Sequence, residues 1–410
     1  MTERKRTTGV KRTSRTSDRS ASARKKKKSY RQRVVAFQIA AITLAIFCLL
    51  IVAAVLLTRA LVPQKGAGEA TREVSGENSS QTDGATGEAA DSGKEDGAAQ
   101  ESEALTPVET VSLTVSMVGD CTIGTDIQFD TSRNFNAFYT VNGPSYFFEN
   151  VKSILGADDL TVVNMEGTLT ESDNRQDKTF AFKGDPSFVE VLTQGSVEAA
   201  NLANNHSKDY GEESYTDTIR YLEDAGITTF GYDRTAVVDI KGIQVGLVGI
   251  YELADGLERE SQVIENIKAV KDQGADVVIV SFHWGQEKET YPDDIQKSLA
   301  HTAVDNGADL VVGHHPHVLQ GIETYNGKNI VYSLGNFCFG GNSNPSDKDT
   351  MIFQQTFSFE NGELVQDNVT NIIPCSLSSV SGYNDYRPTP LEGSEKERVM
   401  QKIQELSSGL

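Results

Sequence analysis

Three of the six histidines in this 410-residue sequence lie within four positions, at His314, His315 and His317. They follow the apolar run 308–312, which is typical of a buried strand, and Gly313 allows the backbone to turn after it. Histidines at the C-terminal end of a strand can point into the crevice where α/β sheets bind ligands, and neutral imidazole is the commonest metal ligand near pH 7. A surface turn explains the triplet equally well, so its meaning depends on the residues at the ends of the other strands.

Short polar motifs follow other strand-like runs in the same way. Because the C-terminal ends of parallel strands lie on one side of a sheet, these motifs can converge on one site. Their carboxylates, amide oxygens and imidazoles form a mixed ligand set that suits one or two divalent Mn, Fe or Zn ions. Two such ions about 3.5–4 Å apart clamp a phosphate ester and generate hydroxide from water. The motifs are 116–120 with Asp120, 162–167 with Glu166, 201–206 with Asn204, Asn205 and His206, 281–287 with His283, and 333–337 with Asn336.

Each of these residues also has a structural explanation that the sequence leaves open. Asp120 could cap the following turn, and Asn204 and Asn205 favour turns by themselves. His283 could pack against the tryptophan that follows it. A carboxylate at Glu166, directly after an apolar strand, is harder to explain in this way, because a buried carboxylate needs a partner.

Three further polar residues receive supporting roles. Asp209 and Glu287 are candidates for orienting histidine rings, as the outer partners of metal ligands commonly do. His301 lies in a predicted helix without a polar motif, and we assign it a structural role.

The elements that must position these motifs alternate between strand-like and helix-like runs from Val111 onward, which predicts an α/β domain with largely parallel strands. After Thr350 the pattern becomes strand-rich and predicts an antiparallel addition to a sheet. A closing helix is predicted at 394–406, with Ser394 and Glu397 as a capping box. The other predicted helices are 146–155, 212–225, 262–273 and 295–306, and the predicted strands are 113–118, 160–164, 197–202, 245–250, 277–282, 310–312, 330–333, 352–360 and 364–373.

The sequence divides into five regions. Residues 1–33 are predicted to be a basic cytoplasmic tail, and 34–58 a transmembrane helix, because 24 uncharged residues exceed the length of a signal peptide. Residues 59–110 contain almost no large apolar side chain and predict a disordered acidic linker. A main domain at 111–380 and a C-terminal extension with a helix at 381–410 follow. The basic tail predicts a single-pass type II protein of the cell membrane, with its main domain outside the cell.

Charge and cysteine content exclude several classes of protein. The first 33 residues hold 14 Lys or Arg and two acids, so the net charge of −20 divides into +12 for this tail and −32 for the remainder. An acidic body argues against nucleic-acid binding by the main domain. The four cysteines, Cys48, Cys121, Cys338 and Cys375, form no C-x-x-C motif, which excludes a zinc ribbon and a thioredoxin site. We expect free buried thiols, with a Cys121–Cys338 disulfide as the alternative.

Taken in chain order, six motifs resemble those of the CapA family of poly-γ-glutamate capsule-synthesis proteins, a branch of the calcineurin-like metallophosphatase superfamily. The resemblance covers about residues 112–375 and is specific because all six motifs occur in the family's order. It implies a four-layer α/β sandwich of two mixed sheets flanked by helices, preceded here by the predicted transmembrane helix. The motifs are Gly119-Asp120, Asn164-x-Glu166, Asn204-Asn205-His206-x-x-Asp209-x-Gly211, His283-Trp284-Gly285-x-Glu287, Gly313-His314-x-Pro316-His317 and Ser333-Leu334-Gly335-Asn336-Phe337.

The resemblance also implies individual roles at the site. Thr122 stands where the superfamily has its first histidine, Glu166 replaces a bridging aspartate, and His315 is a spare candidate ligand. These departures leave a one-metal or altered site as an alternative to a two-metal site. The implied metal ligands are Asp120, Glu166, Asn205, His283, His314 and His317, and the implied catalytic residue is His206.

The resemblance implies a role in making, exporting or anchoring poly-γ-glutamate at the outer face of a bacterial membrane. One hypothesis is a metal-dependent hydrolase or transferase that acts on a phosphoester or on an amide bond of the polymer, with His206 as general acid. The alternative is a non-catalytic subunit that binds the anionic polymer through bound cations or assists membrane-bound capsule synthase subunits, because an acidic body would otherwise repel a polyanion. A third hypothesis is a surface signalling protein with a degenerate site.

Overall fold

A computed structural model describes residues 108–410 of the chain. The predicted basic tail, the predicted transmembrane helix and all but the last three residues of the predicted linker lie outside this range. Among the residues described, no helix has the length and apolar character needed to cross a membrane.

Within residues 108–410, seventeen strands alternate with seven α-helices. The strands are β1 (Thr110–Thr122), β2 (Thr125–Asp126), β3 (Leu160–Met165), β4 (Thr168–Leu169), β5 (Phe182–Gly184), β6 (Ala199–Asn201), β7 (Thr228–Phe230), β8 (Ala236–Ile240), β9 (Ile243–Tyr251), β10 (Val277–His283), β11 (Leu310–His314), β12 (Ile322–Tyr325), β13 (Lys328–Val331), β14 (Asn336–Phe339), β15 (Asp349–Glu360), β16 (Glu363–Ser376) and β17 (Thr389–Pro390). The α-helices are α1 (Phe135–Asn142), α2 (Lys152–Leu155), α3 (Val189–Gln194), α4 (Gly211–Asp224), α5 (Glu260–Asp272), α6 (Asp294–Asp305) and α7 (Gly393–Ser407).

The strands form two large sheets and one small one. The larger sheet has the order β17-β16-β15-β1-β3-β6-β7, with β14 also pairing with β1, and the second has the order β12-β13-β11-β10-β9-β8. In the larger sheet β1, β3, β6 and β7 are parallel, and in the second β9, β10, β11 and β13 are parallel. The late strands β15 and β16 join β1 in antiparallel fashion. The predicted mixed α/β class with a late antiparallel addition is confirmed.

Successive side chains in a strand point to opposite faces of the sheet, and the central strands bury the side chains of both faces. In β10, Ile279 packs into the core between the two large sheets, whereas Val278 and Val280 pack under the covering helices. In β1, Val115 likewise joins the inter-sheet core, and Val118 joins the outer core. The sheets therefore pack face to face, with α1–α4 covering one outer face and α5 and α6 the other.

This arrangement brings the carboxyl ends of parallel strands from both sheets to one end of the molecule. In the larger sheet, Asp120 of β1 is in register with Asn164 of β3, and Asn164 is in register with Asn201 of β6. In the second sheet, His283 of β10 is in register with His314 of β11. Polar motifs that are far apart in sequence are thus adjacent in the fold.

Two local predictions are wrong. The predicted helix 146–155 is a 3₁₀ turn at Pro144–Tyr146, a run of turns and then the single helical turn α2, because the backbone N–H groups of Glu149 and Val151 bond to carbonyls three residues back instead of four. The predicted capping box at Ser394 does not form, since α7 begins after Glu392 without a side-chain cap; the observed capping box joins Asp293 and Gln296 at α6. Within the predicted C-terminal extension, α7 packs into the inter-sheet core.

The cysteines within the described residues match the simpler expectation. Cys121, Cys338 and Cys375 are all buried free thiols, and the alternative Cys121–Cys338 disulfide does not form. Burial raises the pKa of Cys121 and Cys375 to about 12, so these thiols stay protonated.

Candidate metal centre

Asp120 lies near the end of β1, where that strand runs between β3 and β14. Its carboxylate is fully buried, and Asn164 donates a hydrogen bond of 2.8 Å to Oδ1. Oδ2 accepts a hydrogen bond of 3.2 Å from the backbone N–H of His315 and lies 3.2 Å from Nδ1 of His317. Burial acts to raise the pKa of Asp120, but the imidazoles of His314 and His317 outweigh it and hold that pKa well below its usual value. Asp120 is therefore an ionised carboxylate among histidines.

Glu166 follows β3 and is fully buried, yet neither of its carboxylate oxygens has a hydrogen-bond partner. Three imidazole nitrogens surround Oε1 at distances too long for hydrogen bonds. These are Nε2 of His206 at 3.9 Å, of His283 at 3.8 Å and of His317 at 3.8 Å. Burial raises the pKa of Glu166 to about 8. A buried carboxylate whose two oxygens both lack hydrogen-bond partners is costly and calls for an explanation other than stability.

Two groups of side chains in residues 108–410 place potential ligand atoms within 4.8 Å of one another at this point. The first consists of Glu166, His283 and His315, and the second of Asp120, Glu166 and His317. Imidazole nitrogens with carboxylate oxygens are the donors that Mn, Fe and Zn ions accept. Both oxygens of Glu166 and Nδ1 of His315 are free to bind. The residues therefore fit a divalent cation.

His283 ends β10 and is held from two sides by amide groups. Its Nε2 lies 2.8 Å from Oδ1 of Asn205, and its Nδ1 lies 3.3 Å from Nδ2 of Asn164. Burial, reinforced by the nearby His315, lowers the pKa of His283 well below its usual value. The ring is therefore neutral, which is the form that binds metals.

The histidine triplet turns sharply at the end of β11. His315 and His317 adopt φ angles of 95° and 58°, in the left-handed region that side chains other than glycine rarely occupy. His317 places Nδ1 2.9 Å from Oδ1 of Asn336, whereas Nδ1 of His314 lies 3.4 Å from Oδ1 of Asp120 and has no hydrogen-bond partner. This strained backbone directs adjacent histidines to different parts of the cluster.

His315 and His317 differ in charge as well as in direction. Burial would lower the pKa of His317, but Glu166 and Asp120 outweigh it and raise that pKa to about 10. Burial, aided by His317, lowers the pKa of His315 to about 3. His317 therefore holds a proton that a metal ion would have to displace before this imidazole could bind it.

His206 lies in the loop between β6 and α4, at the edge of the cluster. Its Nδ1 lies 2.7 Å from Oδ2 of Asp209, whose Oδ1 accepts a hydrogen bond of 2.6 Å from Lys178. Because a carboxylate only accepts, this contact assigns the ring proton to Nδ1 and leaves Nε2 facing Glu166. Burial lowers the pKa of His206 although Asp209 opposes it, so the imidazole is neutral near pH 7.

A pocket of about 230 Å³ opens over this edge of the cluster. His206, His317 and Asn336 form its polar floor. One wall is aromatic and includes Phe180, which is 48 % exposed. The remaining lining residues are Phe182, Glu287, Lys288, Val318, Phe339, Gly341, Asn342, Pro345, Ser346 and Asp347. A ligand of small cross-section can therefore reach the histidines from solvent.

The residues that the resemblance selected lie in different parts of the cluster. Asp120, Glu166, His283 and His317 belong to the two groups of potential ligands, and Asn205 contacts them through His283. His314 belongs to neither group and lies against Asp120 instead. Its neighbour His315, which the sequence offered only as a spare candidate, belongs to the first group of potential ligands instead. His206 borders both the cluster and the pocket.

Sequence reasoning named some of the residues that contact the cluster and missed others. Lys178, which contacts Asp209 and the backbone oxygen of Asn205 at 2.9 Å, lies in an irregular loop and gave no signal. Asp209 orients His206, as the sequence suggested, whereas Glu287 lies on the pocket rim and orients no histidine within the described residues. His301 is outside the site and lies 2.9 Å from a carboxylate oxygen of Glu323.

Comparison with known proteins identifies similar chains. A family described as bacterial capsule synthesis protein PGA_cap matches residues 114–341. The "Capsule biosynthesis protein CapA" of Bacillus anthracis is 29% identical over 334 residues, which cover 74% of this chain and 76% of that protein. The "PGA biosynthesis protein CapA" of Bacillus subtilis (strain 168) is 31% identical over 248 residues, or 55% and 63% of the two chains. A "probable polyglutamine synthesis accessory protein" of Mycobacterium tuberculosis is 32% identical over 212 residues, or 44% and 55%. All of the candidate ligands lie inside the range that the family matches.

Proposed function

This chain belongs to the bacterial capsule synthesis protein family PGA_cap, and from that premise we propose that it acts in the synthesis or export of poly-γ-glutamate through a divalent-metal site of hydrolase type. The reaction class is hydrolysis or transfer at a phosphoester or at an amide bond of the polymer. The metallophosphatase-like character of the fold is part of the same proposal. Its support is the pair of sheets that bring acids, amides and histidines to one end of the molecule.

The observation that carries the proposal is the isolated carboxylate of Glu166. A side chain that serves only stability would be expected to have its buried oxygens hydrogen-bonded, because a buried polar group without a partner is destabilising. Here both oxygens lack partners while three imidazole nitrogens face one of them. A cation bound at this point would satisfy the carboxylate and the imidazoles together.

The residues that would hold a cation are those of the two groups. One group consists of Glu166, His283 and His315. The other consists of Asp120, His317 and the same Glu166. A divalent ion bound there polarises a phosphoryl or carbonyl oxygen and lowers the pKa of water. Asn336 fixes the ring of His317, because its Oδ1 accepts a hydrogen bond from Nδ1–H, and Asn164 contacts both Asp120 and His283.

His206 supplies the proton transfer. Asp209 holds the proton on Nδ1 and so keeps Nε2 directed at the cluster and the pocket. Because its lowered pKa makes the resting ring neutral, His206 first accepts a proton from the attacking water and then donates it to the leaving group. His206 therefore acts first as a general base and then as a general acid, whereas the sequence suggested a general acid.

The proposal includes a place in the cell. The 24 uncharged residues that begin at Val34, preceded by a strongly basic tail, support a single-pass type II anchor with the site outside the cell. A site on that side would meet the exported polymer. Protease added to intact cells should then remove the domain and leave the tail.

The test is replacement of His206 in a strain whose polymer production depends on this chain. We expect His206→Ala to retain the divalent metal content of the purified full-length protein and to lower polymer output by about 100-fold or more, the usual contribution of acid–base catalysis. His301→Ala removes a histidine outside the site and should leave both quantities unchanged.

Two results would contradict this proposal. A full-length protein that binds no divalent ion would remove the metal site. Wild-type polymer output with His206→Ala would instead support the non-catalytic subunit that assists a synthase or binds the polymer.

A further inference from the structure

A second, larger cavity adjoins the pocket over the metal centre. It has a volume of about 570 Å³ and shares Ser346 and Asp347 with that pocket as a common wall. Its far side is formed by the hydroxyl-rich segment 376–381 and by the first turns of α7. The two cavities together form a groove that leads away from the histidines, and nothing in the proposed chemistry uses the second one.

Two lysines of this groove are free of ion pairs within the described part of the chain. Lys288 lines the metal-centre end, is exposed, and has its backbone N–H hydrogen-bonded at 2.8 Å to Pro316 beside the histidine triplet. Lys348 lines the far end, where its Nζ donates to Oδ1 of Asn344 at 2.9 Å and to the carbonyl oxygen of Ser381 at 3.2 Å. Both ammonium groups are therefore available to an external anion.

The other cations at the far end are already neutralised. Arg398 pairs with Asp349 at 2.7 Å, and Lys402 pairs with Asp347 at 2.8 Å. Residues 108–410 hold 20 Lys or Arg against 46 Asp or Glu, so the domain as a whole repels anions. Free lysines in a groove are consequently the places where this surface can receive a negatively charged chain.

The walls of the groove also suit a chain that is not uniformly polar. At the metal-centre end Phe180, Phe182 and Phe339 provide an aromatic wall next to Lys288. A linear polymer of γ-linked glutamate alternates carboxylates with methylene groups, which require cationic and apolar contacts respectively. Four acids also line the groove. Asp347, Asp349 and Glu395 are paired with Arg398 or Lys402, whereas Glu287 has no ion pair within the described residues and opposes a carboxylate.

We propose that this groove is the binding site for an extended polycarboxylate chain, with one carboxylate at Lys288 and a more distant one at Lys348, so that the chain crosses Ser346 and presents a bond to the metal centre. This inference rests on the proposed function and assigns the polymer a path along the surface. The lysines bind the chain without belonging to the groups of candidate metal ligands.

The test measures the affinity of the full-length chain, in detergent, for γ-linked glutamate oligomers of two lengths, a dimer and a long oligomer. We expect Lys288→Ala/Lys348→Ala to weaken binding of the long oligomer by about tenfold or more, equivalent to about 1.4 kcal/mol, because both charge-assisted contacts to the chain are lost. Lys348→Ala alone should weaken the long oligomer and not the dimer. Glu287→Gln should strengthen both.

The matched control is Lys152→Ala/Lys297→Ala, which removes the same charge from two lysines outside the groove. Equal affinities of the groove variant and this control would overturn the inference, and so would equal effects of Lys348→Ala on both oligomer lengths. Repeating the titrations with a chelator separates the two proposals, because the lysine contribution should persist without metal. Metal content and the effect of His206→Ala on polymer output test the function independently of this result.

Discussion

Two carboxylates in this domain lie beside basic side chains, with opposite outcomes. Asp349, at the start of β15, accepts hydrogen bonds from Arg398 at 2.7 and 2.9 Å and from Lys402 at 2.8 Å. Glu166 lies among three histidine rings and accepts none. The first carboxylate is fully hydrogen-bonded and attaches α7 to the larger sheet, whereas both oxygens of the second have no hydrogen-bond partner.

The pKa directions express the same difference. Burial acts to raise the pKa of both groups. At Asp349 the hydrogen bonds from Arg398 and Lys402 outweigh burial and lower the pKa, whereas at Glu166 burial prevails and raises it to about 8. The two clusters thus differ in whether the carboxylate is stabilised by hydrogen bonds from basic side chains. Asp349 is stabilised in this way, and Glu166 is not.

The largest expected effect of this difference is on the affinity for divalent metal ions. Glu166→Gln should weaken divalent metal binding by about 100-fold or more, because substitutions even of the residues behind a ligand cost about 10–100-fold. Titration of the chelator-treated full-length protein with Mn²⁺ measures the effect. Asp349→Asn, the matched exchange of acid for amide, should leave the affinity unchanged. Wild-type affinity in Glu166→Gln would show that Glu166 is not a ligand.

The free energy of unfolding should depend on Asp349, which should not affect metal affinity. Asp349→Asn should lower the free energy of unfolding by about 1–3 kcal/mol, since it removes charge-assisted hydrogen bonds from a side chain that is 11% exposed. Urea denaturation of the domain measures this through the transition midpoint. Glu395→Gln removes the exposed partner of the same Arg398 and should cost less than about 1 kcal/mol. Equal losses in the two variants would mean that burial of Asp349 adds nothing.

The sequence predicts the inner strands well and the irregular segments poorly, for a physical reason. Strands 245–250 and 277–282 are apolar throughout because both faces are buried, so local composition reveals them. The segment 146–155 has an apolar pattern like that of a helix, but tertiary packing retains only a 3₁₀ turn and one α-turn. Local pattern is thus reliable where burial is complete.

The candidate site shows the same limit of local sequence patterns. The motifs locate Asp120 and Glu166 because Asp120 lies near the end of β1 and Glu166 directly follows β3, and the positions of both strands are predictable. They cannot decide between His314 and His315, because that choice depends on a left-handed backbone at a residue that is not glycine. Nor can they reveal Lys178, whose loop is brought to His206 only by tertiary folding.

The pH dependence of stability is the effect that separates the two clusters by sign. For Glu166 the folded pKa of about 8 lies above the usual 4.5, so the folded protein retains a proton that the unfolded chain loses between these values. Its contribution to stability is complete below the usual pKa and is lost as pH rises towards 8, with a slope of at most about 1.4 kcal/mol per pH unit. The lowered pKa of Asp349 has the reverse effect, because its contribution is present above the usual 3.8 and is lost as pH falls.

Both signs can be measured on chelator-treated protein. The free energy of unfolding of each variant is subtracted from that of the wild type, from acid to mildly alkaline pH. The free-energy difference between wild type and Glu166→Gln should shift against the wild type as pH rises, because glutamine has no proton to lose. The advantage of wild type over Asp349→Asn should instead shrink as pH falls below about 4. Bound Mn²⁺ should suppress the first trend, since a metal ligand stays deprotonated, and leave the second intact. If both differences changed with pH in the same direction, the two carboxylates would not differ in the way their surroundings imply.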